Sequence, residues 1–165
     1  MDPNTLHKAI TLAFTSRDRA YAPYSKFRVG ASILMEDGTL VGGCNVENAS
    51  YGAGICAERT AITKAISEGH SRVQAVIVTS DLPTPTISPC GICRQVIREF
   101  APLSAPVYMV AAGYHEKYGQ QDTAPAFLVA NDGEAFAVAQ DKDMVCTMTL
   151  DELLPMSFGP EHLVR

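Results

Sequence analysis

Two short segments, Cys56-Ala57-Glu58-Arg59 and Pro89-Cys90-Gly91-Ile92-Cys93, constrain the fold of this chain more than any other feature. They hold three thiols and a carboxylate that are far apart in sequence and have a common chemistry only if the fold brings them together. Three thiolates with a fourth position left open suit a catalytic zinc, whereas a structural zinc site is closed by four Cys or His side chains. Glu58, two residues after the first cysteine, is placed to act as a base toward a water at the open position. Three other readings compete. A zinc knuckle that staples two helices would need a fourth ligand from His7, His70, His115, His162, Cys44 or Cys146, and none has usable spacing. A thioredoxin-like redox pair at Cys90 and Cys93 leaves Cys56 and Glu58 without purpose. Glu58 alone could be a first-turn acid favoured by the helix dipole.

The chain has 165 residues, 47% of them hydrophobic, which suffices for one globular domain with a sizeable core spanning 1–165. Thirteen Lys and Arg against 18 Asp and Glu give a formal charge of -5, so there is no electrostatic footprint for a phosphate backbone and nucleic acid is not the expected partner. There is neither a signal-peptide pattern nor an apolar run long enough to span a membrane, which predicts a soluble, cytoplasmic protein without membrane association. Five cysteines without an export signal read as metal or redox chemistry before disulfides; Cys44 and Cys146, outside the cluster, read as small apolar strand residues.

The pattern alternates helix and strand. Asp2 as N-cap, Pro3, and Leu6, Ile10, Ala13 and Phe14 at helical spacing predict an amphipathic helix to about Arg19 that covers a sheet face. Val29 to Met35 and Leu40 to Val46, joined through Asp37-Gly38, predict an antiparallel hairpin. Ile55 to Glu68 reads as a helix with Gly69 after it, Val73 to Ser80 as a strand buried on both faces, Cys90 to Phe100 as a helix with Val96, Ile97 and Phe100 inward, and Val107 to Ala111 as a strand. The succession implies an α/β layered sandwich of two or three layers, with a mixed sheet of about five strands that is parallel in part. Residues 113–140 read as a polar loop leading to a hairpin through Asn131-Asp132-Gly133. Thr149-Leu150-Asp151-Glu152 is a capping-box pattern for a short helix ending at Leu154, before Pro155.

Cys56 and Cys90 both fall at helix starts, where partial positive charge lowers a thiol's pKa. Zinc with three thiolates still carries a formal surplus of one negative charge, which makes bound water less acidic than neutral ligands would. Arg59 is the candidate to offset it by donating to a ligand sulfur.

Cys56 and Glu58 with Pro89-Cys90-x-x-Cys93 resemble the zinc-dependent nucleoside deaminases. A cysteine at the first ligand position is similar to the small homotetrameric cytidine deaminases. So are Tyr24-Ser25-Lys26-Phe27-Arg28-Val29-Gly30-Ala31, Asn45-Val46-Glu47-Asn48 and Leu153-Leu154-Pro155-Met156-Ser157-Phe158-Gly159-Pro160. The likeness covers roughly 6–110 and 144–163 and departs from the family in extra length between about Val110 and Met144. It implies a cytidine-deaminase-like sandwich with one zinc per subunit, held by Cys56, Cys90 and Cys93. It also implies hydrolytic deamination of cytidine and 2′-deoxycytidine, with Glu58 shuttling protons. By the same resemblance Asn45 and Glu47 hold the ribose hydroxyls, Phe27 packs on the pyrimidine, the Ala57 backbone N–H bonds the base, and Tyr51 and Phe158 complete pockets of neighbouring subunits in a homotetramer. Read from the residues alone, Phe27 is a core residue, while Asn45 and Glu47 suit turn chemistry and a sugar diol equally; the alternatives for Tyr51 and Phe158 are an exposed loop residue and a tail residue packed on its own domain. Deamination of a related aminopyrimidine such as blasticidin S, editing of a polynucleotide, and nucleoside binding without turnover are the rival functions.

Overall fold

The computed structural model describes residues 1–84, 87–125, 128 and 143–163. Its elements are Pro3–Arg17 (α1), Val29–Met35 (β1), Leu40–Cys44 (β2), Ala57–Ser67 (α2), Val73–Ser80 (β3), Gly91–Phe100 (α3), Pro106–Val110 (β4), Gly113–Tyr118 (α4), Val145–Thr149 (β5) and Leu150–Leu153 (α5), with single 3-10 turns at Tyr51–Ala53 and Pro160–Leu163. The five strands form one sheet in the order β2-β1-β3-β4-β5. The β1–β2, β1–β3 and β4–β5 pairs are antiparallel and β3–β4 is parallel, so the sheet is mixed and begins with the expected hairpin.

The run Val73–Ser80 lies at the middle of the sheet because both its faces are apolar. Ala75 and Ile77 join Leu34, Tyr108 and Val110 under Leu6, Ile10 and Phe14 of α1. Val76 joins Ile33, Val41 and Val107 under Ala61 and Ile62 of α2 and Ile97 of α3. Of the two layer counts, three is therefore the right one: α1, the sheet, then α2 and α3. Asp2 caps α1 as expected, its carboxylate accepting from the N–H groups of Asn4 and Thr5 at 3.0 and 3.1 Å. Thr149 and Glu152 form the reciprocal capping box of α5. All five cysteines are free, with Cys44 and Cys146 in β2 and β5.

Three expectations need correction, whereas Val96, Ile97 and Phe100 of α3 all pack inward as expected. Strand β2 stops at Cys44, because Val46 exchanges both backbone hydrogen bonds with Ile55, at 2.9 and 3.0 Å. The same pairing holds Ile55 out of α2, which starts at Ala57 with Cys56 as N-cap. Residues 113–118, read as loop, form α4, because Tyr114 is fully buried against α1 and its hydroxyl meets His7 Nδ1 at 2.8 Å. The hairpin through Asn131-Asp132-Gly133 lies outside the described residues. Among the described residues no helix is long and apolar enough to cross a membrane.

One glycine of β2 sets how close α2 can come. A Cβ on Gly43 would stand 2.7 Å from the Ala57 carbonyl oxygen and would also clash with the backbone N of Ala61, both in a helix that cannot yield without moving Cys56 and Glu58. Gly43→Ala is expected to destabilise the protein by about 1–3 kcal/mol through overpacking and to weaken zinc retention. Urea unfolding together with zinc content after dialysis measures both.

Candidate active site

Strands β2 and β3 are each antiparallel to β1 and so run parallel to one another. The helices that follow them, α2 and α3, therefore start at the same end of the sheet, and their N-caps are Cys56 and Cys90. Cys93 lies one turn into α3 and is fully buried. Neither N-cap side chain bonds its own helix, which leaves the positive ends of both helix dipoles turned to sulfur.

The three Sγ atoms lie within 4.8 Å of one another, and Cys56 Sγ is 3.9 Å from Cys90 Sγ. Thiolates bound at about 2.3 Å around a tetrahedral ion would stand about 3.8 Å apart. The donor set, with three sulfurs and among the described residues no fourth His or Cys in the group, thus fits a zinc ion with one position open. Glu58 reaches the same point from α2: its Oε2 accepts from Cys93 Sγ at 3.5 Å, and the residue is 4% exposed. Arg59 Nη2 donates to Cys56 Sγ at 3.6 Å and to the Gly54 carbonyl at 3.4 Å.

In front of the cluster is a cavity of about 450 Å³, lined by Cys56, Glu58, Arg59 and Cys90 at one end and by Phe27, Asn45, Glu47 and Tyr51 at the other. It continues into a smaller hollow of about 310 Å³ between Tyr24, Glu47 and Tyr51.

The family model described as "Cytidine and deoxycytidylate deaminase zinc-binding region" matches residues 3–111. The chain belongs to this family. It is 51% identical over 104 residues to a cytidine deaminase of Sporosarcina psychrophila, covering 63% of this chain and 76% of that protein. Among solved structures, a cytidine deaminase from Burkholderia pseudomallei aligns with a TM-score of 0.67 at 34% identity, covering 92% of this chain and 98% of the other. A blasticidin-S deaminase of Bacillus cereus is more distant, at 29% identity over 85 residues, 47% of this chain and 61% of that protein. Zinc is the cofactor of the matched region, and the Cys56, Cys90 and Cys93 cluster is able to hold it.

The other family positions are distributed unevenly. Phe27, Asn45 and Glu47 all line the cavity. The Ala57 side chain is buried away from it, at the first position of a helix whose N-cap side chain makes no bond to it. Tyr51 lines the cavity mouth yet is 81% exposed, and Phe158, 58% exposed, stacks on His162 at 5.2 Å and does not line the cavity. Sequence reasoning missed Arg94. Its guanidinium donates to the Pro89 carbonyl at 2.7 Å, to Ser88 Oγ at 2.8 Å and to the Leu153 carbonyl, so the loop that delivers Cys90 is fastened to the start of its own helix. The signal was an arginine directly after the second cysteine of the motif.

The electrostatics follow from crowding. Cys56 is brought down to about 5, chiefly by the hydrogen bond from Cys93 and then by those from Arg59 and Cys90, against the effect of burial. Cys93 is pushed well above the usual thiol range by its interaction with Cys56, by burial and by the neighbouring Glu58 charge. Burial raises Glu58 above the ordinary carboxylate range. The metal-free site thus keeps one charge on Cys56 and a proton on Cys93, a proton that zinc must displace. Because the Cys56 pKa is lowered, its thiolate persists above that value and is lost as pH falls through it. In zinc-free protein, thiolate ultraviolet absorbance should show one group titrating near pH 5, and Cys56→Ser should abolish that step.

Proposed function

We propose that this chain deaminates cytidine and 2′-deoxycytidine to uridine and 2′-deoxyuridine with release of ammonia. The observation that carries the reading is the buried Glu58 carboxylate beside an open three-thiol cluster, at the end of a cavity whose other end offers an aromatic ring, an amide and a carboxylate. Cys56, Cys90 and Cys93 would hold a zinc ion, which when bound would supply the Lewis acidity that makes water a nucleophile near neutral pH. Glu58 takes the proton from the attacking water and delivers it to ring N3. It then carries a proton to the amine as the C4–N bond breaks, so that water is consumed and ammonia leaves. Its raised pKa suits a group that must both accept and return a proton. Arg59, donating to Cys56, draws negative charge from the cluster. Phe27 packs on the pyrimidine face, the Ala57 N–H bonds the base, and Asn45 and Glu47 receive the ribose hydroxyls.

The wide exposure of Tyr51 and Phe158 supports the further reading that they complete sites on neighbouring copies in a homotetramer. We take residues 1–165 as one domain, with 113–140 as an insertion relative to the family. The reaction places the enzyme in pyrimidine salvage, and a site built from free thiols suits the reducing cytoplasm. The lower identity to the blasticidin-S enzyme disfavours that substrate, and a binding module without turnover has no use for Glu58.

With cytidine, the zinc-loaded wild type should release ammonia together with the ultraviolet change of deamination. Glu58→Gln should keep fold and zinc while turnover falls roughly 10²- to 10⁴-fold; activity retained in that variant would remove Glu58 from the mechanism. Arg59→Ala should cost about 10- to 100-fold in zinc affinity or turnover, read by metal analysis beside steady-state rates, whereas a variant unchanged in both rules out charge tuning.

A further inference from the structure

At the end of the cavity away from the thiols, a chain of polar contacts connects Glu47 to Phe27 through one hydroxyl group. Glu47 Oε2 accepts from the backbone N–H groups of Tyr24 and Ser25 at 2.9 and 3.2 Å, and its Oε1 accepts from Ser25 Oγ. The same Ser25 Oγ accepts from the Phe27 N–H at 3.0 Å. Because that N–H occupies a lone pair of the oxygen, the hydroxyl hydrogen is left for the carboxylate. Asn45 closes the other side of Phe27, its Nδ2 donating to the Phe27 carbonyl at 2.9 Å and its Oδ1 accepting from the Val29 N–H at 2.8 Å. Between the two anchors Lys26 sits at φ 58, a left-handed conformation that costs a residue with a side chain about 1–2 kcal/mol. The turn that turns Ser25 back onto Glu47 is thus held against its own backbone preference.

We propose that Ser25 is a positioning residue that fixes the sugar-facing carboxylate of Glu47, using the amide of the base-facing Phe27 as its reference. The proposal rests on the reading of Glu47 as the acceptor of the ribose hydroxyls. With Oε2 engaged by two backbone donors and Oε1 by Ser25, the carboxylate is restricted to one rotamer, and its remaining acceptor capacity is directed into the cavity it lines. Without the Ser25 hydroxyl the Phe27 N–H loses its acceptor and Oε1 is free to turn to solvent, so sugar binding loses its preorganisation while the thiol cluster and Glu58 are untouched.

The test uses the full, zinc-loaded chain in steady state with cytidine and with 2′,3′-dideoxycytidine, which lacks the 2′- and 3′-hydroxyls of the sugar diol. Ser25→Ala should raise the cytidine KM about tenfold, as expected for loss of a hydrogen bond to a charged group, with a smaller change in kcat and in the dideoxy substrate. Ser25→Thr, which keeps the hydroxyl, should hold the cytidine KM to within about threefold of wild type, a difference under 1 kcal/mol. Added to Glu47→Gln, Ser25→Ala should cost little more, because the two residues act as a unit. Equal losses on both substrates, a Thr variant as impaired as the Ala variant, or full additivity with Glu47→Gln would each overturn the proposal. Failures upstream read differently: a wild type silent on cytidine removes the proposed function, and Glu47→Gln with an unchanged cytidine KM removes the sugar role of Glu47, and either takes this inference with it.

Discussion

Three sulfurs within 4.8 Å of one another form a cluster that its own electrostatics opposes. Two full charges about 4 Å apart repel by about 4 kcal/mol at the effective dielectric of a protein surface, so the thiol of Cys93 is pushed up while that of Cys56 is brought down. Much of the surrounding structure supplies compensating positive charge. Two helix N-termini face the sulfurs, neither closed by its own N-cap side chain, and the Arg59 guanidinium lies against Cys56. Zinc completes the compensation, which makes the metal a partner in folding this corner of the molecule as well as in its chemistry.

The sheet serves that convergence. Placing β1 between β2 and β3, antiparallel to both, brings the starts of α2 and α3 to one end, and Gly43 removes the side chain that would hold α2 away. The same end receives the Tyr24–Val29 segment, tethered by Asn45 and Glu47 and by the forked ion pair of Arg28 with Asp81 just beyond β3. The cavity lining and the thiol cluster thus come from chain segments fixed to a common frame.

The strands were legible because their residues state their environment directly: Val29–Met35 and Val73–Ser80 are apolar or β-branched runs whose bounds match the sequence reading. The cluster was legible because cysteine spacing at helix starts is a local signal. What escaped depends on partners distant in sequence. Helix α4 forms on a buried Tyr114 whose bond to His7 crosses 107 positions, and nothing within 113–118 alone announces it. Val46 left the hairpin because of Ile55, and Arg94 gained its meaning from Leu153, 59 residues on. Ser25 was visible only as part of a family segment, since a serine in a loop has many possible partners until Glu47 is placed beside it.

The attachment of the stretch between β4 and β5 bears on how such a chain can change. Tyr114, Leu128 and Val145 are buried with α1 on one face of the sheet, and Tyr118, Ala124 and Met144 pack beside them, whereas α2 and α3, which carry the thiols, cover the other face. The Gln121 carbonyl meets His7 Nε2 at 2.8 Å, and Ala111 donates to Met144 at 2.9 Å across the base of the excursion. The described ends of the connection are therefore moored on the side of the sheet away from the reaction. Chain can be added or lost there, by mutation over generations or by a designer grafting in a reporter peptide, with the spacing of the sulfurs unaltered.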